Sequence, residues 1–289
     1  MYSAISANKR NTVIIMAVFL VIIAGLGWLA GAAYNNVGIT WIVIAVASVY
    51  ALIQYFAASR LALAVNGAHQ IEKRDAPELY RIVENLAITD GLPMPKVYIM
   101  DDPAPNAFAT GRNPDNASVA VTTGLLQIMD KRELAAVLAH EMGHVKNYDI
   151  LVNMIVFGLV SAIGMICDMI MRVAFWGDNK DRDSRLMIFG IIAAILAPIV
   201  AMMVQLAVSR QREYLADASG ALTTRDPEGL AMALEKLKDS SKPMRNQNSS
   251  TAHLFFANPL KPGFLSKLFS THPPLDDRIA RLRQNATKM

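Results

Sequence analysis

The sequence predicts a mainly α-helical protein with a small β-sheet, in which four transmembrane helices alternate with cytoplasmic segments. Only 18% of the 289 residues are charged, against roughly 25% in an average soluble domain. Hydrophobic residues make up 53% of the chain, and the mean hydropathy is +0.30. The charges are also unevenly distributed, since no Asp, Glu, Lys or Arg lies between Arg10 and Arg60. This composition excludes a disordered chain, and a single cysteine, Cys167, excludes a disulfide scaffold.

The uncharged N-terminal stretch is too long for one membrane helix. A single helix over residues 11–59 would extend about 74 Å, more than twice the roughly 30 Å hydrocarbon core of a bilayer. A polar turn signal at residues 34–38 (YNNVG) divides it. We therefore predict spanning helices at residues 12–33 and 39–58. The alternative for the first is a cleavable signal peptide, for which residues 30–33 offer small side chains.

Two further hydrophobic segments, residues 150–167 and 186–209, are predicted to span the membrane as well. A buried or re-entrant hairpin remains the alternative for this pair. Lys9 and Arg10 precede the first span and Arg60 follows the second. The positive-inside rule then places the N-terminus and the chain after Arg60 in the cytoplasm.

The chain accordingly divides into two membrane parts and two cytoplasmic parts. Residues 1–59 and 150–209 are the predicted membrane segments, and residues 60–149 and 210–289 are the predicted cytoplasmic segments. Hydrophobic periodicity and capping residues predict secondary structure in the first cytoplasmic part. The expected elements are a helix near 77–89 with one apolar face, strands at 96–100, 106–110 and 118–122, and a helix from 131 to about 147. Asp130 and Glu133 form a capping-box pattern at the start of the last of these helices.

The second cytoplasmic part is predicted to be helical, with one long loop. Helices are expected at 209–223 and 227–238 and after His272. Residues 239–271 are rich in Ser, Asn, Pro and Lys. We predict a loop there that touches the membrane surface or covers a cleft. The net charge of +4, without a cluster of basic and aromatic residues, predicts no nucleic-acid partner.

The strongest chemical signal is the H-E-x-x-H sequence at residues 140–144 (HEMGH). On a helix, the i, i+4 spacing places His140 and His144 on one face, one turn apart. Both imidazoles can then bind one Zn²⁺ ion. Glu141 follows the first of these histidines and can accept a proton from water activated by the metal.

A catalytic zinc ion needs a third protein ligand and one open position. The candidates are the remaining histidines and distant carboxylates, of which Glu213 and Asp217 stand out by their own i, i+4 spacing. One could bind metal while the other accepts the free N–H of a ligating histidine. A solvated run of charges beside the lipid headgroups is the alternative explanation of this pair. His144 precedes the third hydrophobic segment and Glu213 follows the fourth, which would place the site just above the bilayer.

Several segments together resemble the HtpX family of bacterial membrane zinc metalloproteases, which is related to the CaaX prenyl proteases. They are NAFATG, AVTTGLL, VLAHEMGHV, SRQREYLAD and THPPLDDRIARL. The resemblance covers nearly the whole chain and implies a cytoplasmic zincin-like metalloprotease domain with one Zn²⁺ per chain. It implies His140, His144 and Glu213 as zinc ligands and Glu141 as the general base. It also implies that Asp217 is the hydrogen-bond partner of a zinc-ligating histidine.

The resemblance further implies a substrate-binding strand that pairs with the substrate backbone irrespective of its sequence. The strand consists of Asn106, Ala107, Phe108, Ala109 and Thr110. His272 lies in the family's His-Pro segment, where stabilisation of the oxyanion and loop packing are equally compatible with its position.

We therefore predict an integral membrane zinc endopeptidase of the bacterial inner membrane, with its active site facing the cytoplasm. The resemblance implies misfolded or damaged membrane proteins and unfolded polypeptides as substrates, a role in the stress response and an ATP-dependent membrane protease as a partner. Two rivals remain. One is a CaaX-type processing protease, and the other is a non-enzymatic membrane scaffold with structural histidines.

Overall fold

A computed structural model describes residues 2–33, 35–159, 161, 210–240, 243–245, 251–257 and 273–286. These residues are mainly helical, with one small mixed sheet. The predicted fold class is confirmed to that extent. The fourth hydrophobic segment and most of the third lie outside the described residues, as does His272.

The first two helices form an antiparallel pair joined at the predicted turn. Helix α1 is Tyr2–Ala33 and helix α2 is Val37–Val65. Asn35 adopts a positive φ of 51°, which asparagine tolerates better than most residues. Asn36 then caps α2, its side-chain oxygen accepting a hydrogen bond from the Gly38 N–H at 2.9 Å. The polar turn signal therefore separates two helices, as predicted.

Both helices are long and apolar enough to cross a bilayer, over Ser6–Gly25 and Thr40–Val65. Only 28% and 22% of the residues in their most apolar windows are buried in the protein, unlike the core helix of a soluble domain. Helix α2 continues seven residues beyond the predicted end at residue 58. Arg60 does not end it, because arginine is among the residues that favour the helical conformation.

The sheet has four strands, where the sequence predicted about three. They are β1 (Ala68–Gln70), β2 (Lys96–Met100), β3 (Ala107–Thr110) and β4 (Ser118–Thr122). The spatial order is β1-β2-β4-β3, and only the β2–β4 pair is parallel. Strand β1 escaped prediction because three residues show no alternation, and its pairing with β2 creates it. His69 lies on this exposed strand.

The remaining described helices follow the predicted order along the chain. They are α3 (Pro77–Asp90), α4 (Thr123–Ile128), α5 (Lys131–Lys146), α6 (Asp149–Leu159), α7 (Arg210–Thr224), α8 (Pro227–Asp239) and α9 (Leu275–Ala286), with 3₁₀ turns at Pro114–Asn116 and Ala252–Leu254. The predicted apolar face of α3 is buried. The short α4 was not predicted, since six residues carry too little periodicity.

Helix α5 lies at the centre of the part of the protein that contains the sheet. Its N-terminus carries the predicted capping box, in which Asp130 and Glu133 accept hydrogen bonds from each other's backbone N–H. Its apolar face packs in the main core with residues of the sheet and of α3, α7 and α8. Helix α7 crosses α5 closely at Gly220, where a Cβ atom would lie 2.8 Å from the backbone nitrogen of His140. The absence of a side chain at Gly220 lets the two helices approach.

Two residues separate the end of α5 from the start of α6, which contains most of the described part of the third hydrophobic segment. Its side chains are almost entirely buried. Leu151, Val152 and Ile155 pack in one cluster with Ile15 and Phe19 of α1. The first membrane-type helix is therefore attached directly to the chain that follows the H-E-x-x-H helix.

Candidate metal centre

The two histidines of the H-E-x-x-H sequence face each other on α5, as their spacing predicts. Their Nε2 atoms are 3.1 Å apart, and their rings meet edge to face. His140 is fully buried and His144 is 9% exposed. Two imidazole nitrogens thus converge on one point in a nearly closed interior.

Glu213 of α7 completes the group. One of its carboxylate oxygens lies 3.6 Å from His144 Nε2, and the other lies 3.8 Å from His140 Nε2. Ligand atoms around a tetrahedral zinc ion with bonds near 2.1 Å are about 3.4 Å apart. The observed separations of 3.1, 3.6 and 3.8 Å are close to that value. Two nitrogens and one carboxylate therefore fit a divalent metal ion, and among the described residues they form the candidate metal-binding group.

The other nitrogen of His140 is held by a buried ion pair. Asp217, one turn after Glu213 on α7, lies 2.9 Å from His140 Nδ1. The guanidinium of Arg278 on α9 donates to both Asp217 oxygens, at 2.6 and 2.9 Å, and is fully buried. A His140 Nδ1–H donated to Asp217 leaves the Nε2 lone pair for a metal.

His144 is held in the same way by a carboxylate that the sequence analysis missed. Asp149 lies 2.9 Å from His144 Nδ1 and is 2% exposed. Between the two residues α5 ends, and Tyr148 adopts a positive φ of 62°. This turn returns the chain toward His144. The sequence does show a carboxylate five residues after the second histidine. Residues at i, i+5 spacing do not share a helix face, however, so only the turn brings Asp149 to His144.

Asp149 in turn is bonded to the first helix. Asn8 of α1 donates through Nδ2 to Asp149 Oδ1 at 2.7 Å and to the Asn147 carbonyl at 2.8 Å. Asn8 is 3% exposed. A residue near the start of a membrane-type helix therefore contributes to the support of a metal-site histidine.

The surroundings shift the pKa values of the two imidazoles in opposite directions. Burial lowers the pKa of His140 to about 4, despite the opposing effect of Asp217. Burial also disfavours a charge on His144, but the hydrogen bond with Asp149 and the charge of Glu213 raise its pKa to about 9. Burial likewise opposes ionisation of Asp217, yet Arg278 and His140 lower its pKa to about 2.

Glu141 lines a small cavity together with the three candidate ligands. The residue is 2% exposed. The cavity has a volume of only about 10 Å³, because residues 253–256 close it from one side. The Phe256 ring packs edge-on against His140 and lies beneath the Arg278 guanidinium, with centroid distances of 4.8 Å in both cases. The predicted loop over 239–271 thus includes a segment that covers the site.

Strand β3 is the outer strand of the sheet and passes beside this cavity. At the start of β3, the Thr122 N–H donates a hydrogen bond to the Asn106 carbonyl. Hydrogen-bonded and non-hydrogen-bonded residue pairs alternate along an antiparallel ladder, so the backbone N–H and C=O groups of Ala107 and Ala109 point away from β4. The Ala107 carbonyl accepts a hydrogen bond from the Phe256 N–H at 2.9 Å. Ala109 lines the cavity. Asn106 lies just outside the strand and bonds Ala257 through both atoms of its amide.

The predicted site residues are therefore partly brought together. Five predicted residues and the backbone of β3 lie around one point; the residues are His140, Glu141, His144, Glu213 and Asp217. His272 is outside the described residues, so its role stays a prediction. His253 lies at the cavity but its Nε2 donates to the Asn153 carbonyl at 3.2 Å. The sequence analysis missed the role of Arg278, although this residue belongs to the THPPLDDRIARL segment. Its partner Asp217 lies 61 positions away in the sequence, so no local pattern indicates the pair.

Comparisons with known proteins identify the family of this chain. Peptidase family M48 matches residues 73–286. A Protease HtpX homolog from Tropheryma whipplei is 55% identical over 286 residues, covering 98% of each chain. One from Streptococcus gordonii is 44% identical over 296 residues, covering 98% of this chain and 99% of that one. These matches confirm the resemblance to the HtpX family.

The fold also resembles a solved structure. Ste24p from S. mikatae aligns with a TM-score of 0.53 over 98% of this chain and 67% of that chain, at 19% identity. At that identity the likeness concerns the fold alone. The family match and the full-length relatives decide the classification: the chain belongs to peptidase family M48, a family of metallopeptidases.

Proposed function

We propose that the chain is an integral membrane zinc endopeptidase that cleaves misfolded or damaged membrane proteins at the cytoplasmic membrane face. The observation that carries the proposal is the convergence of His140, His144 and Glu213 beside the buried carboxylate of Glu141. Each histidine is oriented by a carboxylate on its other nitrogen. Three protein ligands and one open position are typical of catalytic rather than structural zinc.

Zinc is the proposed metal because two imidazoles and one carboxylate form a donor set found in zinc peptidases. A bound zinc ion would polarise a peptide carbonyl and make a nearby water molecule more acidic. The three ligands and the two supporting carboxylates would hold the ion in place.

Glu141 is the proposed general base. Its carboxylate would take a proton from the attacking water molecule and pass that proton to the leaving amine. Its place among the candidate ligands, in a cavity with little room for bulk water, supports this role. The carboxylate itself need not bind the metal, because three other ligands are available.

The substrate would bind as an added strand on β3. Ala109 lines the cavity, and its outward backbone groups could pair with an extended polypeptide. Main-chain pairing depends little on side chains. This mode suits a protease that acts on many unfolded segments.

The proposed membrane arrangement has four spans and a zincin-like catalytic part in the cytoplasm. Helices α1 and α2 would be the first two spans, and the hydrophobic segments 150–167 and 186–209 would be the other two. The contact between Asn8 and Asp149 supports a common side for the N-terminus and the metal site. The basic residues Lys9, Arg10 and Arg60 support the cytoplasm as that side.

The cellular role extends the proposal beyond the site. Quality control in the bacterial cytoplasmic membrane, induction under stress and cooperation with an ATP-dependent membrane protease follow from the family resemblance. The lipid bilayer and unfolded polypeptides would be the partners of the chain.

The test is the metal content and activity of the full chain, purified in detergent without added zinc. We expect about one zinc per chain, cleavage of an unfolded polypeptide, loss of cleavage with a chelator and recovery with zinc. Absence of both zinc and cleavage would favour a scaffold with structural histidines. Cleavage restricted to prenylated C-terminal peptides would favour a CaaX-type protease.

A further inference from the structure

A second cavity lies where α2 meets the sheet, away from the metal centre. Its volume is about 230 Å³, below the roughly 300–1,000 Å³ of pockets for drug-sized ligands. Residues from the end of α2, the start of β2 and the connection from β3 to β4 line it. Most of its lining surface is polar, so a small polar group fits it better than an apolar ligand.

Three cations line this cavity: Arg60, Lys96 and Arg112. Asp115 is the acidic residue in the lining. Among the described residues, none of the three cations lies within 4 Å of a carboxylate, whereas Lys73, Lys146 and several arginines do. Cations gathered without carboxylate partners produce a positive potential, which attracts an anion.

The backbone itself supports the placement of Arg112. The preceding Gly111 has a φ of 147°, and a Cβ atom there would lie 2.6 Å from the Asn116 carbonyl oxygen. The chain therefore turns tightly after β3 and directs the next residue toward α2. There the Arg112 guanidinium lies 5.0 Å from the centroid of the Phe56 ring.

An apolar surface adjoins the cavity on α2. Ile53, Phe56 and Leu61 are 54%, 56% and 41% exposed, and all three belong to the membrane-type stretch Thr40–Val65. Arg60 lies within the last two turns of this helix. Cations at the end of an exposed apolar helix match the arrangement of a phospholipid, in which a phosphate is joined to acyl chains.

We propose that this cavity binds the phosphate headgroup of an anionic phospholipid, whose acyl chains lie along the apolar face of α2. The proposal rests on the proposed placement of α2 in a membrane. A free phosphate ion would satisfy the cations, but it would leave the adjacent apolar face without a role.

A lipid at this position would lie at the end of the proposed substrate strand. Thr110, the last residue of β3, has its hydroxyl 3.2 Å from that of Ser59, which lines the cavity. Gly111 and Arg112 follow directly. Headgroup binding would therefore hold the end of β3 at the membrane surface, where unfolded segments of membrane proteins emerge.

The experiment measures lipid binding to the full chain purified in neutral detergent, by native mass spectrometry and by the shift in thermal unfolding midpoint. Phosphatidylglycerol, phosphatidylcholine and inorganic phosphate are the three probes. We expect phosphatidylglycerol to bind more tightly than phosphatidylcholine. The double variant R60Q/R112Q is expected to weaken its binding by about 30-fold, as the loss of two phosphate-facing cations predicts.

The matched control is R81Q/K131Q, which removes two exposed cations elsewhere and should change binding by less than about threefold. The single variant Lys96→Glu, at an exposed position, should weaken binding independently of any folding effect of the double variant. Equal losses in control and test variants, or displacement of the lipid by millimolar inorganic phosphate, would overturn the proposal. Zinc content and polypeptide cleavage, measured on the same samples, show separately whether the proposed protease function fails.

Discussion

Asn8 donates a hydrogen bond to Asp149, 141 residues away in the sequence, at 2.7 Å. Asp149 contacts His144 on its other oxygen at 2.9 Å. The N-terminal apolar helix is thereby linked to a candidate metal ligand through two buried side chains. Helix α1 therefore helps to position the side chain of His144 in the metal site.

Replacing Asp149 with asparagine should weaken metal binding without removing a ligand. His144 would lose the carboxylate that orients its ring and raises its basicity, and such losses typically cost 10–100-fold in metal affinity. Competition with a chelator of known affinity measures the change. Asp115→Asn, at an exposed carboxylate, is the matched control and should leave affinity unchanged. Equal affinities for wild type and Asp149→Asn would refute a positioning role.

Glu141→Gln should separate metal binding from cleavage. The amide keeps the shape of the side chain but cannot accept the proton, so cleavage should fall by about 10²- to 10⁴-fold. The zinc content should stay near one per chain, because Glu141 is not among the three ligands. His140→Ala provides the contrast and should lose both zinc and activity. Substantial cleavage by the Glu141→Gln variant would exclude Glu141 as the base.

Arg278→Gln should destabilise the fold much more than the same change at Arg283. Arg278 is fully buried against Asp217, and removing one member of a buried ion pair costs about 3–5 kcal/mol. Arg283, on the same helix, forms solvent-exposed pairs with Glu228 and Glu235, which contribute little. Thermal unfolding of the two variants in one detergent gives the comparison. The double variant R278M/D217N should recover part of the loss, because it removes both charges of the Arg278–Asp217 pair.

Gly220→Ala should disturb the metal site through the backbone. The added Cβ would lie 2.8 Å from the nitrogen and 3.1 Å from the Cα of His140, so α7 must move away from α5. Such overpacking costs about 1–3 kcal/mol and should also lower zinc affinity, because Glu213 moves with α7. Gly143→Ala is the control, since its Cβ would meet ordinary contacts at 3.5 Å. Similar unfolding midpoints for the two variants would contradict the close crossing.

Sequence analysis predicted the features that depend on neighbours within one or two helical turns. The turn at Asn36, the capping box of Asp130 and Glu133, and the buried face of α3 follow from local hydrogen bonding and periodicity. The i, i+4 spacing likewise predicted that His140 and His144 share one face. These interactions are encoded within a few residues, so the sequence alone determines them.

Only the tertiary structure decided which distant groups complete the site. Strand β1 forms because it pairs with β2, and the metal centre is covered because the Phe256 ring packs against His140. Asp149 reaches His144 because of the turn at Tyr148, and Arg278 reaches Asp217 because α9 packs beside α7. Local sequence patterns cannot specify such contacts, because they depend on the relative placement of whole elements in the packed core. The sequence by itself determined the metal-binding helix, whereas the fold determined what orients and encloses it.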